Sequence, residues 1–257
     1  MQAGGYGSHA FAARLGRKYP LLAGLLRALY PPMPTLNIIP AETLRAIQAD
    51  LFPNGGLILN IGAGGADGCG ARLWHGIDEA RVRIIALDIG VGPNISLAGD
   101  AALLPFPAAI FESVVLQAVL EHVPEPERVI AESLRVLKPG GHIYVEMPFL
   151  QGFHADPHDY QRYTLEGLRR RLAAAPEIRA GVSVGPFSTV VWMLRDGLSS
   201  WTTQPLIYAA FRFLAAWIFA PLRYLDIWVG DSRVGRRLAN EFYYLGRKPA
   251  DQPDSVR

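Results

Sequence analysis

The stretch that most constrains this chain is a short apolar run followed at once by small residues, Leu57-Ile58-Leu59-Asn60-Ile61-Gly62-Ala63-Gly64-Gly65. Residues 57–61 suit a strand buried on both faces, and the glycines fall where such a strand must turn sharply into a helix. Lacking a Cβ, glycine lets the backbone come close to a ligand, and the helix that follows offers free N–H groups at its start. The combination reads as a nucleotide-type site.

A dinucleotide fingerprint asks for G-x-G-x-x-G/A with an acid about 20 residues further on. The frame beginning at Gly62 supplies Gly62 and Gly64, then Asp67 in place of the third glycine. A bulky charge there conflicts with close helix–strand packing. The acid is nevertheless present, because Ile84-Ile85-Ala86-Leu87-Asp88 reads as a second buried strand ending in a carboxylate. Asp88 at such a position can accept from both hydroxyls of a ribose. Glycine loop and strand-end acid together specify more than either alone.

Further along, Gly99-Asp100-Ala101-Ala102-Leu103-Leu104-Pro105-Phe106 places a second acid in a loop. Phe111 to Leu116 is another apolar strand, followed by Val119-Leu120-Glu121-His122-Val123, a helix over 124–137, the turn Lys138-Pro139-Gly140-Gly141 and a strand over 142–147. The succession of Asn60 to Gly65, Asp88, Gly99-Asp100 with Leu104-Pro105-Phe106, Leu120 to Val123 and Leu134 to Gly141 resembles the class I S-adenosylmethionine-dependent methyltransferases, in particular the small-molecule branch called type 11. The resemblance covers about a third of the chain. It implies S-adenosylmethionine as cofactor, with Gly62, Gly64 and nearby backbone at the methionine end, Asp88 on the ribose, and Asp100 with Ala101 at the adenine. Asn60 departs from the family, where an Asp or Glu is usual; an amide still accepts a hydrogen bond but brings no charge to attract the ammonium.

Strand–helix alternation points to a doubly wound α/β sheet whose ligands lie beyond the strand C-terminal ends. The third strand is the least distinct, and Ile95–Ala98 is the candidate. The sixth and seventh strands fall at 178–184 and 241–246, and the resemblance implies a Rossmann-like seven-stranded sheet whose last strand runs antiparallel between the fifth and sixth. The residues between them then form a helical insertion that starts beside the cleft. The expected division is an N-terminal helical cap (1–50), a methyltransferase domain (51–185 plus 239–248) and a hydrophobic insertion (186–238).

With 257 residues, half of them hydrophobic, the chain can bury a large core. A net charge of +2 is too small for nucleic acid, which asks for a clustered basic face. The single cysteine, Cys69, excludes an internal disulfide and fits a reducing, cytoplasmic setting. Residues 9–30 mix Arg14, Arg17, Lys18 and Arg27 with leucines and are split by Pro20; they read as two short helices capping the sheet or lying on a membrane surface, without a signal-peptide core. The insertion carries Trp192, Trp201, Phe211, Phe213, Trp217, Tyr224 and Trp228 with Arg212 and Arg223 among them. Its longest uncharged apolar run, 213–222, is half a membrane crossing or less. It reads as a lid on the domain or a partner, or as a peripheral contact with the inner face of a membrane.

Methyl transfer from a sulfonium is a direct displacement, so the protein must align the reactants and exclude water. A base is needed only where the acceptor loses a proton. The candidates are His122, which either touches substrate or bonds a carbonyl, and His154 and His158 in the polar segment 149–163. Asp156 and Asp159 in that segment have metal-ligand chemistry, but their spacing makes no ligand set, so no metal is expected. Asp159 with Arg162 and a packed Tyr163 also suit a purely structural loop. Beside a methyltransferase acting on a small or lipid-linked acceptor stand two rivals: a nicotinamide-dependent oxidoreductase, opposed by Asp67, and a non-catalytic methyltransferase-like subunit, whose support is Asn60.

Overall fold

Among the described residues there are seven strands, the central ones built on apolar runs: β1 (Leu57–Ile61), β2 (Arg83–Asp88), β3 (Leu97–Ala98), β4 (Phe111–Gln117), β5 (Leu137–Pro148), β6 (Glu177–Val184) and β7 (Glu241–Arg247). The computed structural model describes residues 33–53, 56–64, 71–78, 81–155 and 157–250. Gly65, Asp67, Cys69, Asp156 and the expected helices over 9–30 lie outside the described residues. The strands make one sheet in the order β3-β2-β1-β4-β5-β7-β6. All neighbours pair in parallel except β7, which is antiparallel to both β5 and β6. This is the doubly wound, seven-stranded arrangement expected, with the order reversing between β1 and β4.

Both faces of the sheet are covered, which is why the central strands show no polar alternation. On one face Leu59, Ile61, Val114, Leu116, Ile143 and Val145 pack against Val129, Ile130 and Val136 of helix α3 (Pro126–Val136) and Leu168 of α4 (Leu165–Arg171). On the other, Ile58, Val115 and Tyr144 meet Leu44, Ile47 and Leu51, one stripe of α1 (Ala41–Leu51). The side nearest β2 is closed by Leu73 of the short α2 (Ala71–Trp74) and by Val82. Thr164 caps α4 by accepting from the Gly167 N–H at 3.1 Å, as its place before Leu165 suggests.

Two strands differ from the expectation. β3 is cut to Leu97–Ala98. The supposed turn Lys138–Gly141 is instead the first part of a long β5, because its backbone finds partners: the Gly140 N–H donates to Lys248 O at 2.9 Å, and the Lys248 N–H returns a bond to Gly141 O at 2.9 Å. The exposed edge of β6 is covered by residues 37–38, where Asn37 bridges Val184 and the Ile38 N–H donates to Ser183 O at 2.8 Å.

Between β6 and β7 the chain is helical: α5 (Pro186–Ser199), α6 (Pro205–Phe219), a 3-10 segment (Ala220–Leu225), α7 (Asp226–Val229) and a last 3-10 turn (Gly235–Arg237). Asp226, fully buried, caps α5 by accepting from the Phe187 N–H (2.6 Å), the Ser188 N–H (2.9 Å) and the Ser188 hydroxyl (2.7 Å). The outer face is apolar and open, with Trp201 88%, Leu206 85% and Trp228 86% exposed. Residues Pro205–Val229 form a helical stretch of 25 residues, long and apolar enough by length and composition to cross a membrane. The argument from the 213–222 run therefore fell short, because the helix continues through Arg223 and joins apolar residues on both sides of it.

Glu112, in β4, pins three strands at their N-terminal side: its carboxylate accepts from the Leu57 N–H at 2.6 Å and pairs with Lys138. Burial works to raise this carboxyl, but Lys138 and the Leu57 amide outweigh it and hold it below the ordinary value. A carboxylate whose folded pKa is depressed contributes stability that is present above the ordinary carboxylate range and is lost as pH falls through the folded value. Glu112→Gln should cost about 1–3 kcal/mol in urea unfolding at neutral pH. The difference from the parent should shrink as pH falls below the ordinary carboxylate range and vanish once the parent carboxylate is itself protonated.

Candidate active site

The glycine loop leaves β1 with left-handed backbone at Gly62 (φ 67°) and Gly64 (φ 66°). The Gly62 and Ala63 N–H groups both donate to Leu87 O, at 2.8 and 3.1 Å, and the Gly64 N–H donates to Asp88 Oδ2 at 3.0 Å. Asp88 Oδ1 accepts from the Gly90 N–H at 2.8 Å. The ends of β1 and β2 are thus clasped together through one carboxylate. A side chain at position 62 has no room, since its Cβ would lie 2.3 Å from Val119 Cγ2. Asn60 sits one pleat earlier in β1, between Ala86 and Val115, half-buried.

Asp100 and Ala101 follow β3. The Gly99 N–H donates to Asp88 O at 2.8 Å, which holds the two acids at the same edge of the sheet. Asp100 is exposed and spends one oxygen on the Ala102 N–H (2.8 Å), whereas Ala101 is buried beneath it. All six residues expected at the cofactor lie around the C-terminal ends of β1, β2 and β3.

The acceptor end is built from two loops. Beyond β4, Ala118 takes a left-handed φ of 51°, a strain of about 1–2 kcal/mol for a residue with a Cβ, and donates its N–H to Glu146 O at 3.1 Å. This turns Leu120–His122 into a 3-10 turn. The segment after β5 is fastened to it: Gln161 Nε2 donates to Leu120 O (2.6 Å) and Val123 O (2.9 Å), and the Tyr160 N–H to Glu121 O (2.8 Å). Arg162 pairs with Asp159, whose Oδ2 also accepts from the His154 N–H at 2.9 Å, so this loop is a rigid ring. Tyr163 is buried, its phenol pushed up to about 12 by that burial, and Arg171 stacks over its ring at 4.4 Å.

These bonds bring His122 and His154 edge to face with centroids 5.1 Å apart, and both Nε2 atoms stand 3.7 Å from Glu121 Oε1. The three donor atoms lie within 4.8 Å of one another. Burial opposes charge on His154, but Glu121 and the Gly152 carbonyl outweigh it and raise the imidazole above its ordinary value. Trp192 of α5 packs against His154 at 6.1 Å, so the insertion reaches the cleft wall. His158 is different: its ring is exposed beside Tyr160, and only its carbonyl enters the cluster.

A family model described as "Methyltransferase domain" matches residues 67–145, from the segment after the glycine loop to β5. Over residues 67–145 the chain is thus similar to methyltransferase domains. It is 30% identical over 136 residues to the demethylmenaquinone methyltransferase of Renibacterium salmoninarum, covering 48% of this chain and 56% of that protein. It is 36% identical over 111 residues to a ubiquinone/menaquinone biosynthesis C-methyltransferase of Burkholderia mallei, covering 38% of this chain and 45% of that one. The chain thus spans about half the length of the curated relatives it matches. A SAM dependent methyltransferase from Archaeoglobus fulgidus superposes with a TM-score of 0.50 at 15% identity, covering 80% of this chain and 92% of that one, a likeness of fold.

Around the same strand ends stand several polar residues that are not conspicuous in the sequence as site candidates. Glu121 is wholly buried, and Glu146 and Glu241 join it near the C-terminal ends of β4 and β5. Glu146 accepts from the Tyr144 hydroxyl (2.6 Å) and Gln117 Nε2 (2.9 Å). Burial, then the neighbouring Glu146 and Glu121, push the Glu241 carboxyl well above its usual range. One signal was available, an acid inside the apolar run Tyr144-Val145-Glu146-Met147. The absence of a metal set, expected from spacing within 154–159, considered one loop, whereas Glu121, His122 and His154 converge from two.

The contact between Gly62 and Val119 yields a double-mutant test. Gly62→Ala should lower stability by about 1–3 kcal/mol, through positive φ and through overpacking. In a Val119→Ala background the packing part disappears, so the same change should cost only the backbone part, about 1 kcal/mol. Equal costs in both backgrounds, measured by urea unfolding, would show that the two side chains do not compete for this space.

Proposed function

We propose that this chain moves a methyl group from S-adenosylmethionine to a small or lipid-linked acceptor. The observation that carries this reading is the clasp at the sheet's switch point, where ligands of doubly wound folds lie: two left-handed glycines direct their amides to Leu87 and Asp88. Each Asp88 oxygen takes one backbone N–H, so each keeps a lone pair for one of two adjacent hydroxyls, as on a ribose. Asp100 and Ala101 would meet the adenine, and Gly62, Gly64 and Asn60 the methionine end. When bound, the sulfonium supplies an activated methyl group. The protein's share is alignment and exclusion of water, with His122 or His154, backed by Glu121, taking a proton where the acceptor must lose one. His158, with its ring in solvent, is the weakest of the three candidates.

The curated relatives are named for demethylmenaquinone and for ubiquinone/menaquinone. For this chain a similar acceptor, an aromatic ring on an apolar tail, suits a cleft walled by Trp192 and flanked by the open apolar face of residues 201–228. We read 186–238 as a lid that rests on the inner face of the membrane where such an acceptor is held.

In calorimetric titration of the full chain, S-adenosylmethionine should saturate at micromolar concentration and NAD should not. Asp88→Ala should weaken cofactor binding by about 2 kcal/mol, roughly 30-fold. Saturation by NAD alone would overturn the reading in favour of an oxidoreductase, and saturation by neither would favour a non-catalytic subunit.

Membrane contact has its own readout. The chain should float with anionic vesicles, and the double variant Trp201→Ala, Trp228→Ala should reduce the recovered fraction several-fold, since interfacial binding scales with buried apolar area. Recovery wholly outside the lipid fraction would remove the membrane from the proposal and leave the cofactor reading intact.

A further inference from the structure

A wholly buried carboxylate without a hydrogen bond is costly, and Glu121 is one: the residue is 0% exposed, and neither oxygen has a hydrogen-bond partner. The groups that face it are two imidazole nitrogens, each 3.7 Å away, beyond hydrogen-bonding distance. Their tautomers follow from the other side of each ring. His122 Nδ1 lies 2.5 Å from His158 O, and His154 Nδ1 lies 3.1 Å from Gly152 O. A carbonyl only accepts, so each Nδ1 carries a hydrogen, and in the neutral ring the Nε2 that faces Glu121 is the atom with the lone pair. Arg162 Nη2 is the competing neighbour of His154 Nδ1, at 3.4 Å, but it is committed to Asp159 Oδ2 at 2.6 Å. Imidazoles whose outer N–H is held by a carbonyl, with the inner nitrogen free, have the arrangement of metal ligands and their supporting shell.

We infer that Glu121, His122 and His154 bind a first-row divalent transition-metal ion at the acceptor end of the cleft. Two nitrogens and a carboxylate oxygen suit zinc and its neighbours better than magnesium or calcium, which prefer all-oxygen shells. Ligands at about 2.1 Å from a tetrahedral ion are about 3.4 Å apart, so the 3.7 Å separations need a shift of a few tenths of an ångström. The whole set, within 4.8 Å, closes with small rotamer changes. Three protein ligands leave a position open toward the cleft, where an acceptor oxygen can bind and lose its proton more readily. Metal binding stands apart from cofactor binding; with the ion bound, His122 and His154 are ligands rather than bases, and the role of the open position rests on the methyltransferase reading.

The test uses the tag-free full chain, stripped with chelator and titrated with Zn2+ by calorimetry. One ion per chain should bind. Glu121→Gln and, separately, His122→Ala should weaken binding by about 100-fold or more, beyond what loss of a supporting residue usually costs. His75→Ala, an exposed histidine elsewhere, should leave it unchanged. Co2+ in place of Zn2+ should give visible absorption bands of a low-symmetry N,O site, lost in His154→Ala, and circular dichroism reports whether each variant is folded. Absence of stoichiometric binding, or equal affinity in folded His122→Ala and parent, would overturn the site. A parallel titration with S-adenosylmethionine separates the two conclusions: an ion without cofactor binding sinks the methyltransferase reading alone, and cofactor binding without the ion sinks the metal site alone.

Discussion

A strand buried on both faces and hydrogen-bonded on both edges has only its ends left for chemistry, and β1, β4 and β5 are all such strands. β1 pairs with β2 and β4, β4 with β1 and β5, and β5 with β4 and β7. Most of their side chains are committed to packing, so candidate site residues collect where the strands stop. The stops are therefore shaped with care: left-handed glycines after β1, a strained Ala118 after β4, and Pro148 at the end of β5. Because these strands are parallel, their C-terminal ends lie on one side of the sheet, and the glycine–Asp88 clasp and the histidine pair both fall there.

β7 changes the electrostatics on that side. Running antiparallel, it brings its first residue, Glu241, beside Pro148 at the end of β5 and Val184 at the end of β6. A parallel seventh strand would have put Glu241 at the far end of the sheet. The result is a concentration of buried acids at the acceptor end and a half-buried, uncharged Asn60 near the donor end. On the proposed reading, a cationic donor meets an uncharged amide at Asn60.

What was legible in the sequence was whatever depends on neighbours along the chain. Unbroken apolar runs located β1, β2, β4 and β6 closely, the Leu44, Ile47, Leu51 spacing located α1, and Thr164 marked the start of α4. The candidate cofactor residues were legible because a glycine turn and a strand-end acid are local signals, though their role awaits the binding experiments. The rest depends on contacts between distant segments. Gly140 and Gly141 read as a turn until Lys248 supplies the missing hydrogen-bond partners. His158 looked equivalent to His154 in sequence, yet Asp159 and Arg162 fix the loop so that one ring faces Glu121 and the other faces solvent. Glu121 drew no attention because the burial that makes it unusual comes from a loop closing over it 36 or more residues later.

The insertion shows how far composition can be taken. Residues 205–229 are apolar enough for a membrane crossing, yet the same helical stretch contains Asp226, whose carboxylate holds the first turn of α5 through three bonds. Burial raises that carboxyl above its usual range despite its donors, so moving it into hydrocarbon without them would cost more still. Arg212, within reach of Asp196, and Arg223, bonded to Met33 O, fasten the inner side in the same way. The segment is thus anchored by polar bonds on one side and bare on the other, and a surface contact through the bare side, as proposed above, would leave those bonds in place. Trp192, on α5 of the same insertion, packs against His154 with ring centroids 6.1 Å apart, so the insertion also reaches the histidine pair.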